Sequence, residues 1–242
     1  MFPLRPKRFA RLTAALGICC ALQTSWAWSA PRPGPAATPK MIGALVGQLR
    51  SDHVRWNAQR AMWRLQAIGP PATRSLEKAL ASTDYQQRQL AAHVLRYFSH
   101  HLPSQRLLAV TIEGLQDDAL PEESVGRDRL SYTYVWTARE GVEYLLDHAT
   151  TAERLLRGAL ETTDRQQRFL CAYVLGMRGR VESIQEAAPI LVDHLRDNDI
   201  PGDALMAAKA LYRFGAAVQP LLRHALAASK DQQQSQVLKL IL

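Results

Sequence analysis

An apolar pattern that recurs six times is the feature of this sequence that most restricts its fold. Copies of the pattern begin at Ala61, Ala91, Ala138, Cys171, Ala207 and Leu238. A second apolar series precedes each copy, as in Leu76/Leu80 and Leu191/Leu195. Residues in both series are three or four positions apart, which is the spacing of one face of an α-helix. The sequence therefore predicts six repeats, each made of two amphipathic helices.

The turn between the two helices of a repeat has its own sequence signature. Residues 83–88 (Thr-Asp-Tyr-Gln-Gln-Arg) and 163–168 (Thr-Asp-Arg-Gln-Gln-Arg) are near copies, and residues 231–234 (Asp-Gln-Gln-Gln) are similar. A threonine followed three residues later by a glutamine is typical of a capping box, in which each side chain bonds the other residue's backbone amide. We therefore expect these two threonines and their glutamines to begin second helices.

The repeats resemble the HEAT-repeat family, including the shorter HEAT-like repeats first described in phycobilisome lyases. The resemblance rests on the leucines of the first helix, the Ala…Leu…Gly series of the second, and charged turn residues. Those turn residues are Asp52, Asp84, Asp164, Asp199, Asp231, Arg55, Arg88 and Arg168. The resemblance covers residues 40–242 and implies an all-α fold. It implies an α-solenoid of about six stacked antiparallel helix pairs, with the second helices lining the concave face.

One repeat departs from the family pattern, and two arginines have alternative interpretations. The third repeat contains an insertion at about 116–130, between its two helices. The resemblance implies that Arg88 and Arg168 pair with turn aspartates of adjacent repeats. The alternative is that these arginines recognise an acidic ligand.

The first 30 residues differ in composition from the rest of the chain. They contain no acidic residue and four bases, Arg5, Lys7, Arg8 and Arg11, which supply half of the formal net charge of +8. The apolar run that follows, Leu12–Leu22, is shorter than the ~20 residues that span a bilayer. We therefore expect a cleavable secretory signal at 1–30 and a proline-rich linker at 31–39. An uncleaved N-terminal anchor is the alternative.

The sequence gives little support for catalysis or for a cofactor. None of its seven histidines has the spacing of a metal site, and the chain has neither a glycine-rich phosphate loop nor a nucleophile elbow. The acidic residues of the insertion are interpreted as a solvated loop, and Cys171 as a small core residue. We therefore expect a protein that is not an enzyme and has no catalytic residue, metal or cofactor.

Helix geometry places a candidate binding surface opposite the buried face of the second helices. At about 100° per residue, three rows lie roughly opposite the Ala91 position in each repeat. The middle row is Trp63, His93, Glu140, Tyr173 and Lys209. Large aromatic side chains and arginine favour protein recognition. The predicted partner-binding residues are Trp63, His93, Arg96, Trp136, Phe169, Tyr173 and Tyr212.

Together these features predict an exported scaffold, periplasmic or secreted, that binds a protein or peptide on its concave face. Two other functions remain open, a chromophore-lyase-like enzyme and a nucleic-acid-binding HEAT-like protein. After the first 30 residues the excess of bases over acids is small, which does not favour nucleic acid as the partner. We expect no stable membrane insertion once the signal is removed.

Overall fold

The described part of the chain is entirely helical in its regular structure. The computed structural model describes residues 37–50, 55–98, 103–116, 131–178, 181–196 and 203–242, and no strand occurs among them. From Thr38 onward these residues belong to one compact unit, Thr38–Leu242. The predicted all-α class is confirmed. The predicted signal at 1–30, almost all of the linker, and nearly the whole insertion at 116–130 lie outside the described residues.

The helices follow one another with short connections. In chain order they are α1 (Pro39–Gly47), α2 (Arg55–Ile68), α3 (Thr73–Ala79), α4 (Tyr85–Tyr97), α5 (Gln105–Glu113), α6 (Ser131–Asp147), α7 (Ala149–Gly158), α8 (Arg165–Arg178), α9 (Val181–Asp193), α10 (Asp203–Phe214), α11 (Gln219–Ala228) and α12 (Gln232–Ile241). Short 3-10 turns at Pro70–Ala72, Ala159–Glu161 and Gly215–Val218 adjoin some of them. In the described residues, no helix is both long enough and apolar enough to cross a membrane.

Helix α1 begins at the last residue of the predicted linker. Thr38 is its N-cap, and the Thr38 hydroxyl accepts a hydrogen bond from the backbone amide of Met41. Pro39 occupies the first helical turn, where a missing backbone N–H costs nothing because that amide has no intrahelical acceptor. The boundary therefore follows from local sequence chemistry.

Consecutive helices pack together in pairs. We call the odd-numbered helices first helices and the even-numbered helices second helices. Each second helix contacts the first helix that precedes it. First helices also contact first helices (α1 with α3, α5 with α7, α9 with α11), and second helices contact second helices (α2 with α4, α6 with α8, α8 with α10, α10 with α12). The repeated leucines, among them Leu76, Leu156, Leu191 and Leu211, are fully buried between these layers.

An aspartate caps three of the second helices. The carboxylates of Asp84, Asp164 and Asp231 accept hydrogen bonds of 2.8, 2.7 and 2.6 Å from backbone amides three residues later. The expected capping box between threonine and glutamine is wrong for these turns. Aspartate is as good a cap as threonine, and it leaves the glutamine side chains free to form bonds elsewhere.

The glutamines of these turns instead reach the preceding repeat. We call each pair of glutamines, with the two carbonyls that it binds, a glutamine clamp. In the first clamp, Gln87 Nε2 donates to Val46 O at 2.8 Å and Gln86 Nε2 donates to Leu49 O at 3.2 Å. The acceptors lie at the carboxyl end of α1, where the last carbonyls of a helix lack intrahelical partners. The clamp thus ties α4 to α1.

The same clamp recurs twice. Gln167 and Gln166 donate to Ile112 O and Leu115 O at the end of α5, at 2.9 and 3.1 Å. Gln234 and Gln233 donate to Val192 O and Leu195 O at the end of α9, at 2.8 and 3.4 Å. The inner bonds span 41, 55 and 42 residues, and the middle value is larger because the insertion at 116–130 lies within that span. The clamps therefore join repeats one and two, three and four, and five and six.

Replacing a clamp glutamine tests whether these bonds stabilise the fold. Gln234 is fully buried, and its amide oxygen also accepts from Ser229 Oγ at 2.6 Å and Arg196 Nε at 3.1 Å. We expect Gln234→Ala to lower the free energy of unfolding by about 1–3 kcal/mol, because buried polar partners lose their bonds. Equilibrium urea unfolding measures the change.

A matched control is available two residues away in the same helix. Gln232 is exposed, so Gln232→Ala should change the free energy of unfolding by no more than about 0.5 kcal/mol. Equal losses in the two variants would show that the clamp contributes nothing beyond helix propensity.

Candidate functional site

The large apolar side chains that remain exposed are concentrated on second helices. Among the described residues, most of them belong to α2, α4, α10 and α12: Trp56, Trp63, Tyr97, Leu205, Tyr212 and Leu240. Met41 is the exposed large apolar residue of a first helix, and Leu242 follows α12. Exposed apolar side chains that share one set of elements mark a contact surface more often than scattered ones do.

Helix α2 carries an exposed stripe in which tryptophan and arginine alternate. We define the α2 stripe as Trp56, Arg60, Trp63 and Arg64, all of which are exposed. Spacings of four, three and one residues place them within about one third of the helix circumference. The sequence of α2 contains no acidic residue. The stripe therefore offers apolar area together with positive charge.

Helix α10 carries a similar stripe. We define the α10 stripe as Leu205, Lys209, Tyr212 and Arg213, which are all exposed and have the same spacing as the α2 stripe. Again two apolar residues alternate with two bases. The two stripes lie on α2 and α10, so similar chemistry occurs on two second helices that are far apart in the sequence.

The predicted partner-binding residues divide into accessible and buried ones. Trp63 is 52% exposed and Tyr212 is 71% exposed, as an accessible surface requires. The placement of Phe169 and Tyr173 on an accessible face is wrong, since they are 0% and 8% exposed. Trp136 belongs to α6, but its side chain is outside the described part of the structure.

Close packing of α8 against its neighbours explains why its aromatic rings are buried. Phe169 stacks on His194 beyond the end of α9, with ring centroids 4.4 Å apart. On α8, Gly176 lies so close to α10 that a Cβ atom there would be 2.3 Å from Phe214 Cζ. The absence of a side chain at Gly176 thus allows α8 and α10 to pack closely at this point.

His93 and Arg96 lie together between second helices α4 and α6. His93 Nδ1 is 2.9 Å from Glu140 Oε2, so these two members of the predicted middle row are in contact. The contact with His93 lowers the pKa of Glu140 below its usual value. Arg96 Nη1 donates to Thr111 Oγ1 at 3.4 Å, and the Thr111 hydroxyl donates to Leu107 O at 2.8 Å.

The Arg96 guanidinium has fewer hydrogen bonds than its donors can make. Its Nε and Nη2 atoms are buried and have no hydrogen-bond partner. Burial lowers the pKa of Arg96 to about 10, and the negative charge of Glu140 opposes that shift. The group therefore stays protonated at neutral pH. Arg96 is predicted on an exposed face; the residue is half-buried, with Nε and Nη2 fully buried, and no signal in the sequence indicates this.

Arg88 has a carboxylate partner different from the one expected. Its Nε donates to Glu113 Oε2 at 3.2 Å, and its Nη2 donates to the other oxygen of the same carboxylate. Its Nη1 donates to Ser82 O at 2.8 Å. Glu113 belongs to α5, so the expectation that Arg88 pairs with a turn aspartate is corrected. Arg88 therefore links α4 to α5, and its Nε and Nη2 donors are bonded to Glu113 rather than open to an acidic ligand.

The described residues offer little for metal binding or nucleophilic chemistry. No group of three or more His, Cys, Asp or Glu side chains among them could hold a metal ion. Cys171 is fully buried, and burial raises the pKa of its thiol to about 12. A thiol in this state is a core residue and not a nucleophile.

Comparison with models of known protein families and with curated proteins gave no match to this chain. The candidate site consists of the α2 stripe, the α10 stripe, and the cluster of His93, Arg96 and Glu140 on the second helices that lie between them in chain order.

The contact between Gly176 and Phe214 predicts a sharp difference between two glycine substitutions. Gly176→Ala should lower the free energy of unfolding by about 1–3 kcal/mol, because the new methyl group overlaps a buried ring. Gly158 has a helical backbone and nothing within 4 Å of a built Cβ. Gly158→Ala should raise the free energy of unfolding by about 0.4–1 kcal/mol, because alanine reduces the conformational entropy of the unfolded chain.

Urea unfolding of both variants checks this pair. A Gly176→Ala protein as stable as Gly158→Ala would mean that α8 and α10 are not in close contact there, and the explanation for the buried α8 rings would be withdrawn.

Proposed function

We propose that this chain is an exported, non-enzymatic scaffold that binds a protein or peptide partner on the face formed by its second helices. The observation that carries the proposal is the placement of exposed aromatic and basic side chains on second helices, above all the α2 and α10 stripes. Tryptophan, tyrosine and arginine supply most of the energy in many protein interfaces.

We propose further that the helix pairs form a HEAT-like α-solenoid of about six repeats. The pattern of contacts supports this, because first helices pack on first helices and second helices on second helices. The three glutamine clamps add fixed links between neighbouring repeats. In such an array each repeat is stabilised mainly by its neighbours, and one face is available along its length.

A protein partner accounts for the charge distribution better than a nucleic acid does. The α2 and α10 stripes are basic, and alternating aromatic and basic residues also occur where proteins bind single strands. Between them, however, α6 carries Glu140 and the exposed Glu143. A continuous phosphate backbone would meet these carboxylates. A protein or peptide can avoid repulsion by these carboxylates. Its acidic residues can lie against the basic stripes, and its neutral residues can lie against Glu140 and Glu143.

The salt dependence of binding separates these two classes of partner. A nucleic acid that is bound through several phosphates loses affinity steeply with added salt. The affinity of a peptide that is held mainly by apolar contacts depends only weakly on salt concentration.

The chromophore-lyase-like alternative depends on the repeat type alone. It requires a polar reaction site, and the buried, high-pKa thiol of Cys171 does not supply a nucleophile. We therefore propose a binding role, with export directed by the basic and apolar segment at 1–30. The mature protein is then periplasmic or secreted, with no stable membrane insertion. Retention by an uncleaved anchor is the alternative location.

Substitutions on the α2 stripe test the proposed surface. The partner is first captured with tagged protein from the exporting compartment and identified by mass spectrometry. We expect Trp63→Ala to weaken its binding by more than about 1 kcal/mol, while the melting temperature stays nearly unchanged because the ring is exposed. Isothermal titration and thermal unfolding give the two quantities.

Two further variants serve as controls. Met41→Ala removes an exposed apolar side chain from a first helix and should change neither quantity. Tyr173→Ala removes a buried ring and should lower the melting temperature. If Trp63→Ala melts early and binding falls only with the folded fraction, Trp63 belongs to the core and the proposed surface is wrong.

A further inference from the structure

One edge of the Arg96 guanidinium is free of any acceptor. Nε and the neighbouring Nη2 present two parallel N–H donors on that edge, and both are buried without a partner. The remaining nitrogen, Nη1, is already bonded to Thr111. Buried polar groups in folded proteins nearly always have partners, so two such donors on one side chain require an explanation.

Two other arginines of this chain show what the same edge binds. Arg88 uses Nε and Nη2 to hold both oxygens of Glu113. Arg157 uses Nε and Nη2 to hold both oxygens of Glu186, with an Nε distance of 2.7 Å. A bidentate carboxylate matches the planar fork of the guanidinium in spacing and in charge. Arg96 has the same edge without the carboxylate.

Glu140 does not supply this carboxylate. Its charge acts on Arg96, but its Oε2 is 2.9 Å from His93 Nδ1, and neither Nε nor Nη2 of Arg96 has a hydrogen-bond partner. Buried N–H donors without an acceptor are costly. An incoming carboxylate would remove that cost, and the gain would appear as binding energy.

We propose that Arg96 is an anchor for a carboxylate carried by an acidic side chain of the peptide partner, held bidentately by Nε–H and Nη2–H. The inference rests on the proposed function, since it specifies part of the partner that binds the second helices. It also fits the basic character of the α2 and α10 stripes, which flank Arg96 along the array. Because both donors are buried, the side chains that cover them must move aside to admit the ligand.

The Nε–H signal of Arg96 gives a direct test that needs no identified partner. The full chain, with 15N-labelled arginine, is titrated with acetyl-glutamate amide at neutral pH and constant ionic strength. We expect one Nε–H resonance to move downfield until the shift reaches a plateau at high ligand concentration. The same resonance should be missing from the spectrum of Arg96→Lys, which assigns it to Arg96. Acetyl-glutamine amide, which has the same shape without the charge, should not shift it. Arg74→Lys, at an exposed position of first helix α3 and outside the candidate site, should leave the response intact.

Each other result counts against the proposal. If acetyl-glutamate amide leaves the Arg96 resonance unshifted, or the glutamine amide shifts it equally, no carboxylate is anchored there. A response to inorganic phosphate alone assigns a different anion. If acetate shifts the Arg96 resonance and acetyl-glutamate amide does not, the ligand of Arg96 is a small free carboxylic acid and not a peptide side chain. A partner that binds through Trp63 and is indifferent to Arg96→Lys would remove this inference and leave the proposed function standing.

Discussion

Bonds between glutamine amides and helix-end carbonyls link helix pairs one and two, three and four, and five and six. A single amphipathic helix pair cannot cover its own apolar face, so the packing of repeats determines what is buried. Apolar contacts alone tolerate sliding, whereas a buried amide that donates to one particular carbonyl does not. Gln87, Gln167 and Gln234 each make such a bond at 2.8 or 2.9 Å. The register of each linked pair of repeats is therefore restricted by these bonds.

Similar aromatic residues have different environments on different second helices. In the fourth repeat, α8 is enclosed by α6, α7, α9 and α10, and Phe169 is buried. In the first and fifth repeats, Trp63 and Tyr212 remain exposed. In the proposed solenoid, recognition is therefore expected near the two ends, with the cluster of His93, Arg96 and Glu140 on second helices between them in chain order.

Much of the fold could be predicted from the sequence, because helix periodicity and end signals are local. The clamps could not, because a Thr-Asp-x-Gln-Gln turn suits both a local capping box and a bond to a distant carbonyl. The contact between His93 and Glu140 agrees with their shared row, whereas the burial of Phe169 does not follow from the rotation of one helix. Phe169 stacks on His194, which follows α9, and Gly176 elsewhere on α8 lets Phe214 of α10 approach. The sequence likewise gave no reason to expect an unfilled edge on Arg96.

Site-specific photo-cross-linking in the exporting compartment tests the central claim most directly, namely that one partner binds across the second helices. A benzophenone amino acid replaces Trp63, Tyr212 or Met41 in turn, and the adducts are identified by mass spectrometry. All three positions are exposed, but Met41 lies on a first helix. The account predicts that positions 63 and 212 capture the same protein and that position 41 does not. Capture of that protein from position 41 alone, or of unrelated proteins from 63 and 212, would contradict it.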